Sequence, residues 1–409
     1  MTTPQKNTSE PSSKSKTPPS VFTLIMMAGV AVLAMNIFLP VLPLIGTDLG
    51  VNDATSQYVL TIFLAATAIA QLFIGPLSDR YGRRPVMLVS LAIFVVSSVV
   101  CLFAPNIEIL LIGRVFQASA AASMVLSRAI IRDLYDRENA ASMIGYVTMA
   151  MAVLPMIAPT IGGFVGEAFG WRGPFAILLV AAIGMFILVY VDLGETHKPR
   201  NDSLTEQLQD YWSLLKEPQV WGYFMVASLA SGAYFAFLGG APFVGLKLIG
   251  MSAGVLGMYF AIIAVGYMTG NFITGRYSKR IGLEYMMLFG SLICATGVAI
   301  SLFLMTNFEP QAIFLFGPMA LVGLGNGMTL PNATAGAISV RPDLAGSASG
   351  LGGFLQIGGG ALLATLSATL ISVENLAVPL YIIMITTSVL AAIISAWMLQ
   401  RARKVQPAQ

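Results

Sequence analysis

The sequence predicts an all-α integral membrane protein of twelve transmembrane helices in two six-helix halves. Three observations predict it. Hydrophobic residues are 56% of the chain and charged ones 10%, against about 45–50% and about 25% in soluble domains, so most of the surface has to face lipid. The few charges are clustered, leaving eleven charge-free stretches, each able to supply the roughly 20 apolar residues that cross a hydrocarbon core of about 30 Å. A polar turn, Gly75-Pro-Leu-Ser-Asp-Arg-Tyr-Gly-Arg-Arg-Pro85, returns two hundred positions later as Gly275-Arg-Tyr-Ser278-Lys-Arg280-Ile-Gly282. A duplicated membrane protein is the simplest cause.

Taken in order, residues 1–20 are rich in Ser, Thr, Pro and Lys and read as a disordered tail. The apolar run after Ser20 is too long for a signal peptide and lacks a small-residue cleavage site. It is the first span, 21–45. Spans at 56–77, 85–104, 107–131, 140–164 and 173–192 complete the first half, 21–192, and within 107–131 the apolar stretch 109–127 holds a single charge, Arg114. The polar divider 193–218 carries Leu204, Leu208, Trp212 and Leu215 at helical spacing, with Ser203 and Glu206 placed as a capping box. It is either a short amphipathic helix on the membrane surface or a linker with helical tendency. The second half, 219–400, holds spans at 219–245, 253–274, 284–306, 311–334, 345–370 and 376–400, and 401–409 is a second tail. Backbone in lipid must satisfy its own hydrogen bonds, so runs this apolar and this long are helices. The alternating strands of about ten residues that mark a β-barrel are absent.

An even number of spans puts both termini on one side, and nineteen cations fall on that side against two, Arg172 and Lys247, on the other. The positive-inside rule makes the termini cytoplasmic. Cys101 and Cys294 sit within apolar spans and read as small hydrophobes. Weaker echoes pair Pro43 with Pro242 and Gly162-Gly163 with Gly358-Gly359-Gly360, as expected of transporters built from repeats around a midplane site.

With these residues in view, a family resemblance becomes specific. The loop with Gly75, Asp79, Arg80, Gly82, Arg83 and Arg84 resembles the signature loop of the major facilitator superfamily. Arg114 and Gln117 resemble its fourth-helix motif, with Ala118 where glycine is commoner. Pro155, Pro159, Gly162 and Gly163 resemble the fifth-helix motif of its antiporter branches. Phe38-Leu-Pro40-Val-Leu-Pro43 and Arg132-Asp133-Leu-Tyr135 narrow the resemblance to the bacterial bicyclomycin- and chloramphenicol-resistance (Bcr/CflA) group of drug exporters, over nearly the whole chain. The resemblance implies alternating access and proton-driven export of hydrophobic compounds across a bacterial inner membrane. It also implies that Asp79 latches the outward-facing state by holding the start of the eleventh helix and a fourth-helix arginine, Arg128 or Arg132. The second copy has Lys279 in place of Asp79.

Gly75 and Gly82 allow tight turning and close helix approach. Pro155 and Pro159 remove backbone donors, and Gly162-Gly163 offer a flat surface, so the fifth helix should bend and pack closely on a neighbour, as packing or as a seal between halves. Arg114 is the only charge well inside a span, and such an arginine normally faces a bundle interior or a cavity. No acid lies mid-membrane to pair with it, and Asn36 stands where the resembled group commonly carries an aspartate. Asn36 cannot carry a proton, so proton coupling is either weak or moved to Asp48, Glu167 or Asp79. Asn36 and Arg114 would shape an acid-free polar cavity suited to neutral or anionic substrates. Tyr58, Gln71, Tyr146, Tyr234, Tyr267, Asn326, Asn332 and Gln356 are further mid-span polar residues, each either lining that cavity or hydrogen-bonding between helices.

His197, in the cytoplasmic divider, is read as no ligand. An intramembrane enzyme needs clustered His, Asp, Glu or Cys at one depth, and a primary pump needs a phosphate-binding loop, neither of which occurs. No cofactor or metal is expected. The expected partners are a small-molecule substrate, a proton and the lipid bilayer, with the chain acting as a monomer and without nucleic acid. A narrow exporter of one antibiotic or metabolite with weak coupling is the alternative function.

Overall fold

Helices that cannot borrow hydrogen bonds from lipid must end on side-chain caps or on turns that leave the membrane. The computed structural model describes residues 19–134, 137–197, 212–341, 344–370 and 378–405, with the side chains of 132, 137–146, 148–150, 152, 156, 345, 346, 368, 404 and 405 outside that description. The first half comprises α1 (Val21–Asn36), α2 (Leu42–Asp48), α3 (Asp53–Tyr81), α4 (Arg83–Leu102), α5 (Ile107–Gln117), α6 (Ala121–Leu134), α7 (Arg137–Phe169) and α8 (Arg172–Asp192). The second comprises α9 (Pro218–Phe243), α10 (Ala253–Ile281), α11 (Leu283–Asn307), α12 (Ala312–Phe316), α13 (Met319–Val340), α14 (Ala345–Leu370) and α15 (Val378–Val405). Among the described residues eleven helical stretches are long and apolar enough to cross a membrane. The apolar part of α7, Val153–Phe169, stands at the place of the remaining expected span.

Three expected spans are each broken into two pieces. The first breaks at a 3-10 turn, Leu39–Val41, where Pro40 and Pro43 cannot donate backbone hydrogen bonds. The fourth breaks at Ala118–Ala120 and the tenth at Gly317-Pro318. The polar loop after the second span differs from expectation in the opposite sense. Ser78, Asp79 and Arg80 still belong to α3, and only Gly82 turns the chain, at φ 95°. Gly75 lies mid-helix with open space where a Cβ would stand, so the close approach expected there is not observed. In the divider, residues 212–215 form a helical turn, Leu214 is buried and Trp212 is exposed. The capping residues Ser203 and Glu206, with Leu204 and Leu208, lie outside the described residues.

The repeat is visible as geometry. α3 and α10 start and end at positions two hundred apart, are capped by Asn52 and Ser252, follow left-handed Gly50 and Gly250, and close on left-handed Gly82 and Gly282. Gly82 donates to the Ser78 carbonyl and Gly282 to the Ser278 carbonyl, at 3.0 and 2.9 Å.

Across the halves, α7 packs along α10, and α3 packs along α14. Small residues make both seams. A Cβ on Gly163 would run into the Ala253 carbonyl, and one on Gly257 into the Pro159 carbonyl, while Gly358 lies 3.6 Å from Ala68 by the same construction. Thr160 Oγ1 donates to the Gly257 carbonyl at 3.1 Å, and Thr365 Oγ1 to Thr61 Oγ1 at 3.1 Å. Gly162 instead faces its own half, against the Ile37 carbonyl.

Gly282→Ala should destabilise the protein by about 1–2 kcal/mol from backbone strain alone, because only Tyr285 lies near the added methyl, at 3.8 Å. Gly82→Ala should cost more, because the same strain is joined by a collision with the Glu195 carboxylate. Thermal unfolding in one detergent would rank the two variants.

Candidate functional site

The centre of the first half is built around Arg114. Its α5 position places a guanidinium inside the helix bundle, where it is fully buried. Nε donates to the Val59 carbonyl at 3.0 Å, and Nη1 donates to the Ala34 carbonyl at 3.3 Å and to Gln117 Oε1 at 2.7 Å. Phe38 and Phe63 lie on the cation with ring centroids 4.0 and 4.1 Å away. Gln117 Nε2 passes the chain to Ser98 Oγ at 2.9 Å, which donates to the Phe94 carbonyl at 2.7 Å. One arginine thus joins α1, α3 and α5, and through Gln117 α4. No acid takes part in these contacts.

The positive charge is therefore held by carbonyl dipoles, an amide oxygen and two ring faces, each a partner for a cation in low dielectric. This alters the expected cavity, because Arg114 is a bolt within the wall of the half and does not line an open space. Around this arginine, Arg114 Nη2 and Asn36 Oδ1 have no hydrogen-bond partner among the described residues. Asn36 is buried at the end of α1 and donates through Nδ2 to the Val32 carbonyl at 2.8 Å. A buried polar atom left without a partner costs about 1–3 kcal/mol, so these two are places where a water or the polar group of a bound molecule would be favoured.

The remaining expected residues divide. Asn332 is spent on structure: Nδ2 donates to the Met328 carbonyl at 2.6 Å, and Oδ1 accepts from Ser278 Oγ at 2.5 Å. Asn326 is buried with Oδ1 unpartnered, and Gln71 is buried with its amide oxygen against Gly353 on the seam between halves. Tyr58 is exposed, Gln356 and Tyr234 are half-buried, and the Tyr146 side chain lies outside the described residues. Tyr267 is half-buried as well.

At the end of the bundle that carries the described termini, Arg83 organises a second cluster. Its Nη1 lies 2.5 Å from Asp79 Oδ1 and 2.5 Å from Ser78 Oγ, and its Nε donates to Asp133 Oδ2 at 2.9 Å. Glu195 accepts from the backbone amides of Arg83 and Arg84 at 2.9 and 3.2 Å, so a carboxylate from beyond α8 caps the start of α4. Arg84 Nη2 donates to the Tyr190 carbonyl at 3.0 Å. Among the described side chains Asp79 pairs with Arg83, four residues along the chain; the resemblance implied Arg128 or Arg132 in that role. The Arg132 side chain and residues 342–343, before the eleventh span, lie outside the described residues. Arg80 stacks on Tyr81 at 5.4 Å, away from the cluster. Sequence reasoning did not single out Glu195, whose cue was an acid in the turn after the sixth span, and treated Asp133 only as part of a motif. His197 Nδ1 lies 3.9 Å from Asp133 Oδ1 and is a rim member of this cluster.

Helices, duplicated halves and a buried fourth-span arginine together define a secondary transporter, and comparison with known proteins places it. The profile of the Major Facilitator Superfamily matches residues 24–364, and the chain belongs to that family. It is 30% identical over 379 residues to the transporter YdgK of Bacillus subtilis, covering 91% of this chain and 93% of that one. It is also 30% identical to multidrug resistance protein D of Escherichia coli, covering 85% and 88%, and to a chloramphenicol resistance protein of Pseudomonas aeruginosa, covering 87% and 85%. Two crystal structures of a bacterial homologue of the human lysosomal transporter Spinster share the fold, with TM-scores of 0.70 and 0.73 over 94% of this chain at 17% identity. The protein is a multi-pass membrane transporter, and this family and these neighbours are not enzymes.

Arg114→Lys keeps the charge but cannot donate in a planar fork to Val59, Ala34 and Gln117. We expect it to lower stability by about 2–4 kcal/mol in a denaturant titration. Arg114→Ala should still insert in the membrane but abolish transport in a flux assay. Unimpaired flux in Arg114→Ala would demote the residue to packing.

Proposed function

We propose that this transporter exports hydrophobic small molecules from the cytoplasm across a bacterial inner membrane, by alternating access and in exchange for protons. The observation that carries the reading is the match along more than four-fifths of the chain to relatives named for multidrug and chloramphenicol resistance. The halves 21–192 and 219–400 are the moving bodies, joined by 193–218, with both termini cytoplasmic and the monomer as the working unit. The asymmetric distribution of cations supports that orientation. Gly75 to Arg84 belong to the gate on the cytoplasmic side, where Arg83 holds Asp79 and Asp133 together.

The chemistry of the interior favours neutral or anionic substrates over lipophilic cations. The charged group at the core of the first half is a guanidinium whose nearby acceptors and ring faces are already engaged, so its uncompensated charge repels a second cation and attracts an anion. Asn36, Asn326, Tyr234 and Tyr267 offer uncharged polar contacts, while Gln117 is committed to Arg114. The carboxamide of Asn36 also supports a second reading, a narrow exporter of one antibiotic or metabolite with weak proton coupling.

In proteoliposomes with an imposed proton gradient, an uncharged amphenicol should be carried faster than a quaternary ammonium dye. Asn36→Asp should shift the preference toward the dye by about tenfold, equivalent to ~1.4 kcal/mol. A dye that is already the best substrate of the parent protein would overturn the charge preference, and flux indifferent to the gradient would remove antiport.

A further inference from the structure

Helix α10 of the second half begins at the end of the bundle remote from the described termini, and its first amides need acceptors. Its own cap, Ser252, accepts from Val255 N at 3.4 Å. The acceptor for Gly254 N comes from the other half: Glu167 Oε1, on the last turn of α7, at 2.8 Å. Phe164, one turn earlier on α7, lies 2.7 Å from where a Gly254 Cβ would stand, so the glycine lets the helix start sit flat on α7. Residue by residue toward the interior, Gly163 meets the Ala253 carbonyl, Thr160 bonds to Gly257, and Pro159 abuts Gly257.

We propose that Glu167 is the latch that holds the far-side gate shut, a carboxylate of one half capping a helix of the other. The proposal rests on the alternating-access reading above. Opening that end requires α7 and α10 to part, and parting takes the carboxylate acceptor away from Gly254 N–H at a positive helix end. The interaction exists in only one of the two access states, which is the condition for biasing their equilibrium. Among the described residues a second charged link crosses this end, Lys247 to Asp53 at 2.6 and 2.7 Å, but it pairs two side chains and leaves no helix amide without an acceptor when it breaks. Arg172 and Asp48 pair within the first half at 2.9 Å and do not bridge the seam. Glu167 is therefore a positioning residue for the transport cycle and touches no substrate.

The test reads the parting of the two halves at the other seam. In a background of Cys101→Ser and Cys294→Ser, Thr61→Cys places one thiol at the α3–α14 seam, and a membrane-impermeant maleimide is added from the far side. Adding Glu167→Ala should raise the labelling rate about fivefold, the population change expected from losing one helix cap. Glu167→Gln keeps an oxygen acceptor for Gly254 N and should restore much of the slow rate, a rescue that lost packing would not give. Glu167 is exposed, so Glu167→Gln should leave the unfolding temperature unchanged and Glu167→Ala should lower it only by the loss of one cap. Joining Thr61→Cys to Thr365→Cys by a disulfide should stop flux in parent and variants alike. Labelling of the Glu167→Ala protein at the parent rate would overturn the latch, as would equal acceleration in the Gln and Ala variants. The labelling needs neither drug nor gradient, so absent drug flux with accelerated labelling removes the export reading and leaves the latch standing.

Discussion

The guanidinium of Arg114 is the constraint around which the first half is arranged. A charge in a lipid-embedded bundle has to be surrounded by acceptors or expelled to the surface, and here the acceptors are main-chain carbonyls of the first and second spans. Helical carbonyls are normally committed to their own helix, so those two helices must lie close to α5 and in fixed register for the fork to reach them. Phe38 and Phe63 close the remaining faces. Changing the rotation of any one helix would break several contacts at once, so these spans move as one body.

Between the bodies the physics is reversed. The seams are made from glycine, alanine, threonine and backbone oxygen, with few directional bonds. Close backbone approach gives dispersion contact over a smooth surface, which lets two bodies separate and rejoin without unthreading long side chains. Among the described residues the charged chemistry that holds such a joint sits at helix ends, where amides are free and water is near. Glu195 on the start of α4 and Glu167 on the start of α10 are the same device used twice. One carboxylate ties the first half to itself, and the other ties it to the second half.

The duplicated halves share backbone geometry and differ in charge. Gly82 and Gly282 take up the same left-handed turn, yet the position four residues before Arg83 is Asp79 in one half, while its repeat is Lys279. An arginine cluster of the kind organised by Arg83 needs acids. The repeat therefore conserves what the fold requires and varies what a gate requires.

Composition, the charge-free stretches and the two-hundred-residue echo determined that this chain is helical, membrane-spanning and built from two halves, because lipid leaves the backbone few alternatives. The motifs around Asp79, Arg114 and Gly163 were legible too, since a charge or a glycine pair within an apolar run stands out. Their partners were not legible. That Arg114 is satisfied by Val59 and Ala34, that Asp79 pairs with Arg83, and that Glu167 caps a helix eighty-seven positions away depend on which faces the helices present. Carbonyl acceptors carry no mark in a sequence, and uniformly apolar spans have little periodicity to set their rotation. Only packing decides which main-chain atom meets which side chain, and so whether a polar residue is a bolt, a seal or a latch.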